Sequence, residues 1–114
     1  MSCHLSKLSF AAPLVCFDVN YVGNMDEYNS EASWSITPGT CSAGPDVFGE
    51  YQDHSQQCCL TAGTYTLNCM DKYDDGWDYA YIEIKGSNYC VDWNNERCKT
   101  DGSNCNLKSN QLIV

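Results

Sequence analysis

The nine cysteines among 114 residues constrain this chain more than any other feature. A domain of this size buries only a modest core, and such a cysteine density is typical of extracellular domains stapled by disulfide bonds. A structural zinc site would need paired C-x-x-C or C-x-x-H ligands, and the sequence has none. We therefore expect an extracellular or cell-surface protein. The predicted disulfide framework comprises Cys3, Cys16, Cys41, Cys58, Cys59, Cys69, Cys90, Cys98 and Cys105.

An odd number of cysteines means that four bridges leave one residue over, either unpaired or joined to another molecule. Eight cysteines alone allow 105 pairings, so the sequence leaves the connectivity open. Cys58 and Cys59 are neighbours in the sequence. In a strand their side chains point to opposite faces, which predicts that they bridge to different partners.

The net charge of −9 argues against negatively charged binding partners. The six basic residues are scattered and form no patch, so neither nucleic acid nor an anionic membrane surface is an expected partner. The longest apolar run is far shorter than the roughly 20 residues of a membrane-spanning helix. We expect no membrane insertion.

Alternation of apolar and polar residues predicts half-buried antiparallel strands along most of the chain. The predicted strands are Leu14–Tyr21, Ala32–Thr37, Val47–Tyr51, Thr64–Met70, Tyr79–Lys85, Asn88–Trp93 and Gln111–Val114. No segment carries the apolar stripe of a long helix. The pattern predicts an all-β fold, a disulfide-stapled antiparallel β-sandwich of about 6–8 short strands, jelly-roll-like or CUB-like, with little or no helix. Residues 1–13 are predicted to be an N-terminal arm, and residues 14–114 one domain.

The centre of the chain reads as a strand, an acidic turn and a second strand. Gly86-Ser87 follows, a Gly-X pair suited to a type II′ hairpin turn. We therefore expect residues 64–93 to form a three-stranded meander.

The acidic turn is the candidate metal site. Asp71, Asp74, Asp75 and Asp78 offer the hard oxygen ligands that calcium takes. An EF-hand alignment fails at two ligand positions, so any calcium site would be of another kind. The alternative is a solvated turn in which the aspartates accept hydrogen bonds from backbone amides. No cofactor is required by either interpretation.

Aromatic residues flank this turn, and the sequence offers little for catalysis. Trp77 and Tyr73 would either stack on a sugar ring or cover the end of the sandwich. The two histidines lie in no catalytic pattern, and Cys58, the cysteine nearest His54, is expected to be bridged. We predict that the protein is not an enzyme.

The residues from Gly63 to Ile84 resemble a recurring extracellular module with the pattern G-x-Y-x-L, D-x-Y-G-D-G-W and I-x-I. The resemblance extends over roughly Cys58 to Trp93, about a third of the chain, and Asp74 stands where the pattern usually has glycine. Such modules are cysteine-rich β-sandwiches, often in tandem, in secreted and surface proteins of protists, algae and some bacteria. The resemblance implies a structural or adhesive role outside the cell.

These observations predict a structural module that self-assembles into, or repeats within, a fibre, filament or surface coat. An exposed strand can add to the sheet edge of an identical subunit. The predicted assembly residues are Leu5, Leu8, Phe10, Leu112, Ile113 and Val114. The alternative is a calcium-dependent or carbohydrate-binding adhesion module, whose partners would be extracellular glycans.

Overall fold

The computed structural model describes residues 13–102 and 104–114. Residues 1–12 of the predicted arm therefore lie outside it, together with Cys3 and the predicted assembly residues Leu5, Leu8 and Phe10. The strands are β1 (Leu14–Val22), β2 (Ala32–Thr37), β3 (Ser42–Ala43), β4 (His54–Thr61), β5 (Thr64–Asp71), β6 (Tyr81–Ile84), β7 (Ser87–Tyr89) and β8 (Leu107–Ile113). A 3-10 turn spans Asn29–Glu31 and one helix, α1, spans Asn95–Asp101.

The eight strands form two antiparallel four-stranded sheets, which confirms the predicted all-β class. The first sheet has the order β4-β1-β6-β7 and the second the order β3-β2-β5-β8. Inward-facing side chains of both sheets share one core. The largest fully buried residues include Val19, Tyr21, Trp34, Ile36, Leu67, Ile82 and Trp93.

Four disulfide bonds use all eight cysteines of the described residues. The pairs are Cys16–Cys59, Cys41–Cys58, Cys69–Cys90 and Cys98–Cys105. Cys58 and Cys59 bridge to different partners, as their opposite strand faces predicted. The Cys69–Cys90 bond joins the two sheets from within the core, since both residues are buried. These bonds leave no described cysteine as an intramolecular partner for Cys3.

The predicted meander is wrong, because β5 and β6 belong to different sheets. β5 pairs with β2 and β8, whereas β6 pairs with β1 and β7. Alternation predicted both strands, but a turn between two strands does not by itself say whether they pair. The acidic loop therefore crosses from one sheet to the other.

Three local predictions also differ from the structure. The β6–β7 hairpin turns at Lys85-Gly86, one residue earlier than predicted, and both residues have positive φ as a type I′ turn requires. The predicted strand Val47–Tyr51 is irregular, although Phe48 is buried. The segment between the predicted strands ending at Trp93 and beginning at Gln111, where no helix was predicted, contains α1, whose first turn is capped by the Asn94 side chain accepting from the Arg97 amide at 2.8 Å.

Candidate functional site

The crossing of the acidic loop is fixed by contacts between its backbone and the segment around Trp93. Gly76 forms an isolated β-bridge with Asn94, and the amides of Trp77 and Asp78 donate to the Trp93 carbonyl. Gly76 has a φ of 75°, and a side chain there would meet the Trp93 carbonyl oxygen at 2.6 Å. Only glycine allows this close approach.

Trp77 anchors the same loop from inside the protein. Its side chain is buried and lies against Trp93 and Tyr21, with ring centroids 5.7 and 5.2 Å away. Its indole nitrogen donates to the Met70 carbonyl at 2.9 Å. Trp77 thus covers the end of the sandwich, and its ring is not available to stack on a sugar.

The structure brings together two of the four predicted metal ligands. Carboxylate oxygens of Asp71, Asp75 and Glu31 all lie within 4.8 Å of one another. Asp74 and Asp78 are outside this group. Glu31 was missed because its proximity depends on the pairing of β2 with β5, which sets Asp71 opposite Ala32. No signal local to the loop points to a residue forty positions earlier.

The three carboxylates have no close cation to balance them within the described residues. Lys72 forms its ion pair with Asp46 at 3.2 Å, and its positive charge lowers the pKa of Glu31 against the other causes. Burial, together with Asp75, Asp26 and Asp78, raises the pKa of Glu31. Carboxylates concentrated in this way favour a bound proton or cation.

Asp71 is the most deeply placed of the three, with 6% of its surface exposed. Burial and its hydrogen bond with the Asp75 side chain raise its pKa to about 7, and the charges of Asp75 and Glu31 act in the same direction. Its carboxylate also accepts a hydrogen bond from the Asp75 amide at 2.8 Å. This contact is the backbone-capping role that the solvated-turn alternative predicted.

A shallow depression of about 160 Å³ lies beside the acidic loop. It is lined by Met25, Asp26, Glu27, Tyr28, Tyr51, Asp78 and Tyr79. Three of these are exposed tyrosines, at 56% for Tyr28, 56% for Tyr51 and 75% for Tyr79. Burial and the charges of Asp26 and Asp75 raise the pKa of Asp78 at its rim. Aromatic faces next to carboxylates are the groups that bind sugar hydroxyls and rings.

A second recess, a groove of about 180 Å³ whose lining combines apolar residues with Lys85 and Ser87, lies on another part of the sandwich. We call it the β7–β8 groove, because these strands are the outer strands of the two sheets on the side where it opens. Its apolar walls are formed by Phe17, Ile84 and Tyr89 of one sheet and by Leu112, Ile113 and Val114 of the other. All three predicted C-terminal assembly residues therefore line one groove.

These assembly residues differ in their exposure. Leu112 is buried, Ile113 is 65% exposed, and Val114 exchanges two backbone hydrogen bonds with Gly63. In antiparallel strands, bonded and non-bonded pairs alternate. The Ile113 backbone therefore points away from β5, towards the free edge of β8. The sequence predicted a final strand over Gln111–Val114, whereas β8 begins four residues earlier, at Leu107, and ends at Ile113.

The remaining sequence-derived interpretations concern the membrane and the cellular compartment. No described helix is long and apolar enough to cross a membrane. The four disulfide bonds are those of a protein from an oxidising compartment, as an extracellular location requires.

Comparisons with known proteins found no matching family model, no matching curated protein and no matching solved structure. The resemblance to the extracellular module therefore stays a prediction.

Proposed function

We propose that this chain is an extracellular structural module that associates with further copies of itself in a fibre, filament or surface coat. The observation that carries the proposal is the open β7–β8 side of the sandwich. There, the outer edge of β8 pairs with no described strand, and the β7–β8 groove with its apolar walls lies directly beside it. An unprotected edge next to apolar surface is a site where another chain can add a strand.

Two features of the cysteines support the same function. Four bonds hold a small core rigid, as a building block exposed to the extracellular medium requires. Cys3 has no partner among the described cysteines, so a disulfide bond through it would reinforce a non-covalent contact that two subunits already make. Light scattering and electron microscopy of the purified, oxidised protein test the proposal. Particles that grow with concentration into regular assemblies are expected, and a protein that remains monodisperse and monomeric would refute it.

A calcium-dependent or carbohydrate-binding adhesion module is the second candidate. Two observations favour it: the grouped carboxylates of Glu31, Asp71 and Asp75, and the adjacent depression lined by tyrosines. In this function the cation would bind at the three carboxylates, and a glycan would stack on Tyr79 or its neighbours.

A calcium titration separates the two candidates. Under the adhesion function, calcium raises the melting temperature of the unmodified protein and leaves that of Glu31→Gln unchanged. Glu50→Gln is a matched control, since Glu50 is exposed and lies outside both the carboxylate group and the tyrosine-lined depression. A melting temperature that does not respond to calcium, together with a blank glycan array, would leave only the structural function.

A further inference from the structure

The first sheet is incomplete beside the N-terminal half of β1. β1 pairs with β4 from Leu14 to Tyr21, but with β6 only from Asn20 to Val22. After β6 the chain turns at Lys85-Gly86 into β7, so no described strand lies next to residues 14–19 on the edge of β1 that faces β6. Phe17, in this half of β1, lines the β7–β8 groove. A strand added at this position would both complete the first sheet and cover the groove.

We propose that residues 1–12 of a second copy of this chain bind in the β7–β8 groove as an added strand beside residues 14–19 of β1. The inference rests on the self-association proposed above and names the surface and the segment through which it occurs. Each copy then carries one donor segment and one acceptor groove, so that association propagates from subunit to subunit.

The sequence of this segment fits the groove. Leu8 and Phe10 are two residues apart, so in a strand both point to one face, whereas Lys7 and Ser9 point to the other. An apolar cavity of about 150 Å³ holds a benzene molecule. The groove, at about 180 Å³, thus has room for an aromatic side chain with part of an aliphatic one. Lys7 is the one Lys, Arg, Asp or Glu in the segment, so the face that carries Leu8 and Phe10 brings no charge of its own into the groove, whose lining already includes Lys85.

The position of the segment in the chain favours a second copy over its own groove. To pair beside its own β1, the segment would have to reverse direction just before Leu14. Tight two-residue hairpins take Gly, Asn or Asp at positions with positive φ, and none of these occurs between Leu8 and Pro13. Proline at position 13 fixes φ near −65°. Without such a reversal, the segment would enter the groove of a neighbouring copy and not its own.

The test mixes two variants of the full chain, each carrying Cys3→Ser so that no intermolecular disulfide contributes. Phe10→Glu disables the donor segment and keeps the groove. Ile113→Glu disables the groove and keeps the donor, and because Ile113 is 65% exposed, the fold should tolerate it. Ser9→Glu adds the same charge to the opposite face of the segment. Sedimentation velocity is measured on each variant and on the equimolar mixture.

We expect Phe10→Glu and Ile113→Glu each to weaken self-association by at least about tenfold, because a carboxylate at either position loses hydration when the added strand packs against it. Their mixture should form one-to-one dimers, since one intact donor meets one intact groove. Ser9→Glu should associate like the parent.

Each contrary outcome has a distinct meaning. If the Cys3→Ser parent is monomeric at every concentration, the proposed self-association is wrong. If it associates but both glutamate variants associate equally well, self-association stands and the groove assignment is overturned. A monomeric parent whose melting temperature falls in Phe10→Glu would show the segment docked on its own chain, which also overturns the inference.

Discussion

The backbone amide of Asp75 donates to the Asp71 carboxylate at 2.8 Å, which closes the acidic loop on its own first residue. This bond holds the carboxylate at the point where the chain leaves the second sheet. Glu31 reaches the same point from the end of the 3-10 turn, directly before β2. The loop therefore connects the two sheets and also brings negative charges together. The connection stabilises the fold, whereas repulsion among the carboxylates destabilises it.

The pH dependence of stability tests this description of Asp71. Its folded pKa of about 7 exceeds that of an unfolded aspartate, so between about pH 4 and pH 7 the folded state binds a proton that the unfolded chain has lost. The free energy of unfolding therefore falls across this interval, and the loss is complete above it. Asp71→Asn should reduce the slope, leaving the contributions of Glu31 and Asp78, whose pKa values are also raised, and should raise the free energy of unfolding at pH 8 by about 1–2 kcal/mol.

Urea unfolding at a series of pH values measures this effect. Asp18→Asn, at an exposed position of β1, removes the same charge elsewhere and should leave the slope in place. An unchanged slope in Asp71→Asn would contradict the assignment of the titrating group.

Gly76 fixes the loop against Trp93, and a matched pair of substitutions tests how. Gly76 and Gly102 both have a φ of 75°, but an added Cβ meets the Trp93 carbonyl at 2.6 Å in one case and nothing within 4 Å in the other. Gly102→Ala should cost about 1 kcal/mol for the backbone conformation alone. Gly76→Ala should cost at least about 3 kcal/mol, because backbone must also move. Equal losses in chemical denaturation would refute the close approach.

Asn29 is the centre of a buried polar network under the 3-10 turn. Its side chain accepts from the Tyr21 hydroxyl at 2.8 Å and donates to the carbonyls of Gly23 and Gly49 at 2.9 and 2.7 Å. Asn29→Ala leaves all three groups without this partner and should cost about 3 kcal/mol. Tyr21→Phe removes one bond and should cost about 1 kcal/mol. If thermal unfolding shows similar losses for both, the network is not the stabilising feature.

The disulfide bonds should contribute different amounts to the free energy of unfolding, according to the length of the loop that each one closes. Cys16–Cys59 spans 43 residues and Cys98–Cys105 spans 7. By loop entropy, replacing both cysteines of the first pair by serine should cost about 4 kcal/mol, and those of the second about 2 kcal/mol. Cys16 and Cys59 are both exposed, so their loss adds no cavity. Urea unfolding of the two double variants measures the order, and a reversed order would contradict the entropic explanation.

Alternation along the chain was enough to predict β1, β2, β5 and the all-β class, because each of these strands has one buried face. It did not predict β4, since this is an edge strand and most of its residues are exposed on both faces. It also did not predict α1, because a seven-residue helix with a single buried residue, Cys98, shows no apolar stripe. The boundaries of α1 were nevertheless marked by Asn94 and Gly102.

The residues of the candidate sites were likewise predicted only in part from the sequence. Local sequence predicted the hydrogen bond between Asp71 and the loop, and it pointed to the apolar residues Leu112 to Val114. It did not predict Glu31 at the carboxylates or Phe17 in the groove, because both arrive through strand pairing between distant segments. Pairing also decides that the acidic loop connects two sheets. Alternation within a strand carries no information about its neighbour.

The most direct test of the proposed self-association is sedimentation equilibrium of the full chain with Cys3→Ser, in calcium-free buffer, from low to high micromolar concentration. Non-covalent association between identical subunits predicts a weight-average mass that rises steadily above the monomer mass with concentration. A mass that stays at the monomer value throughout would contradict the proposal.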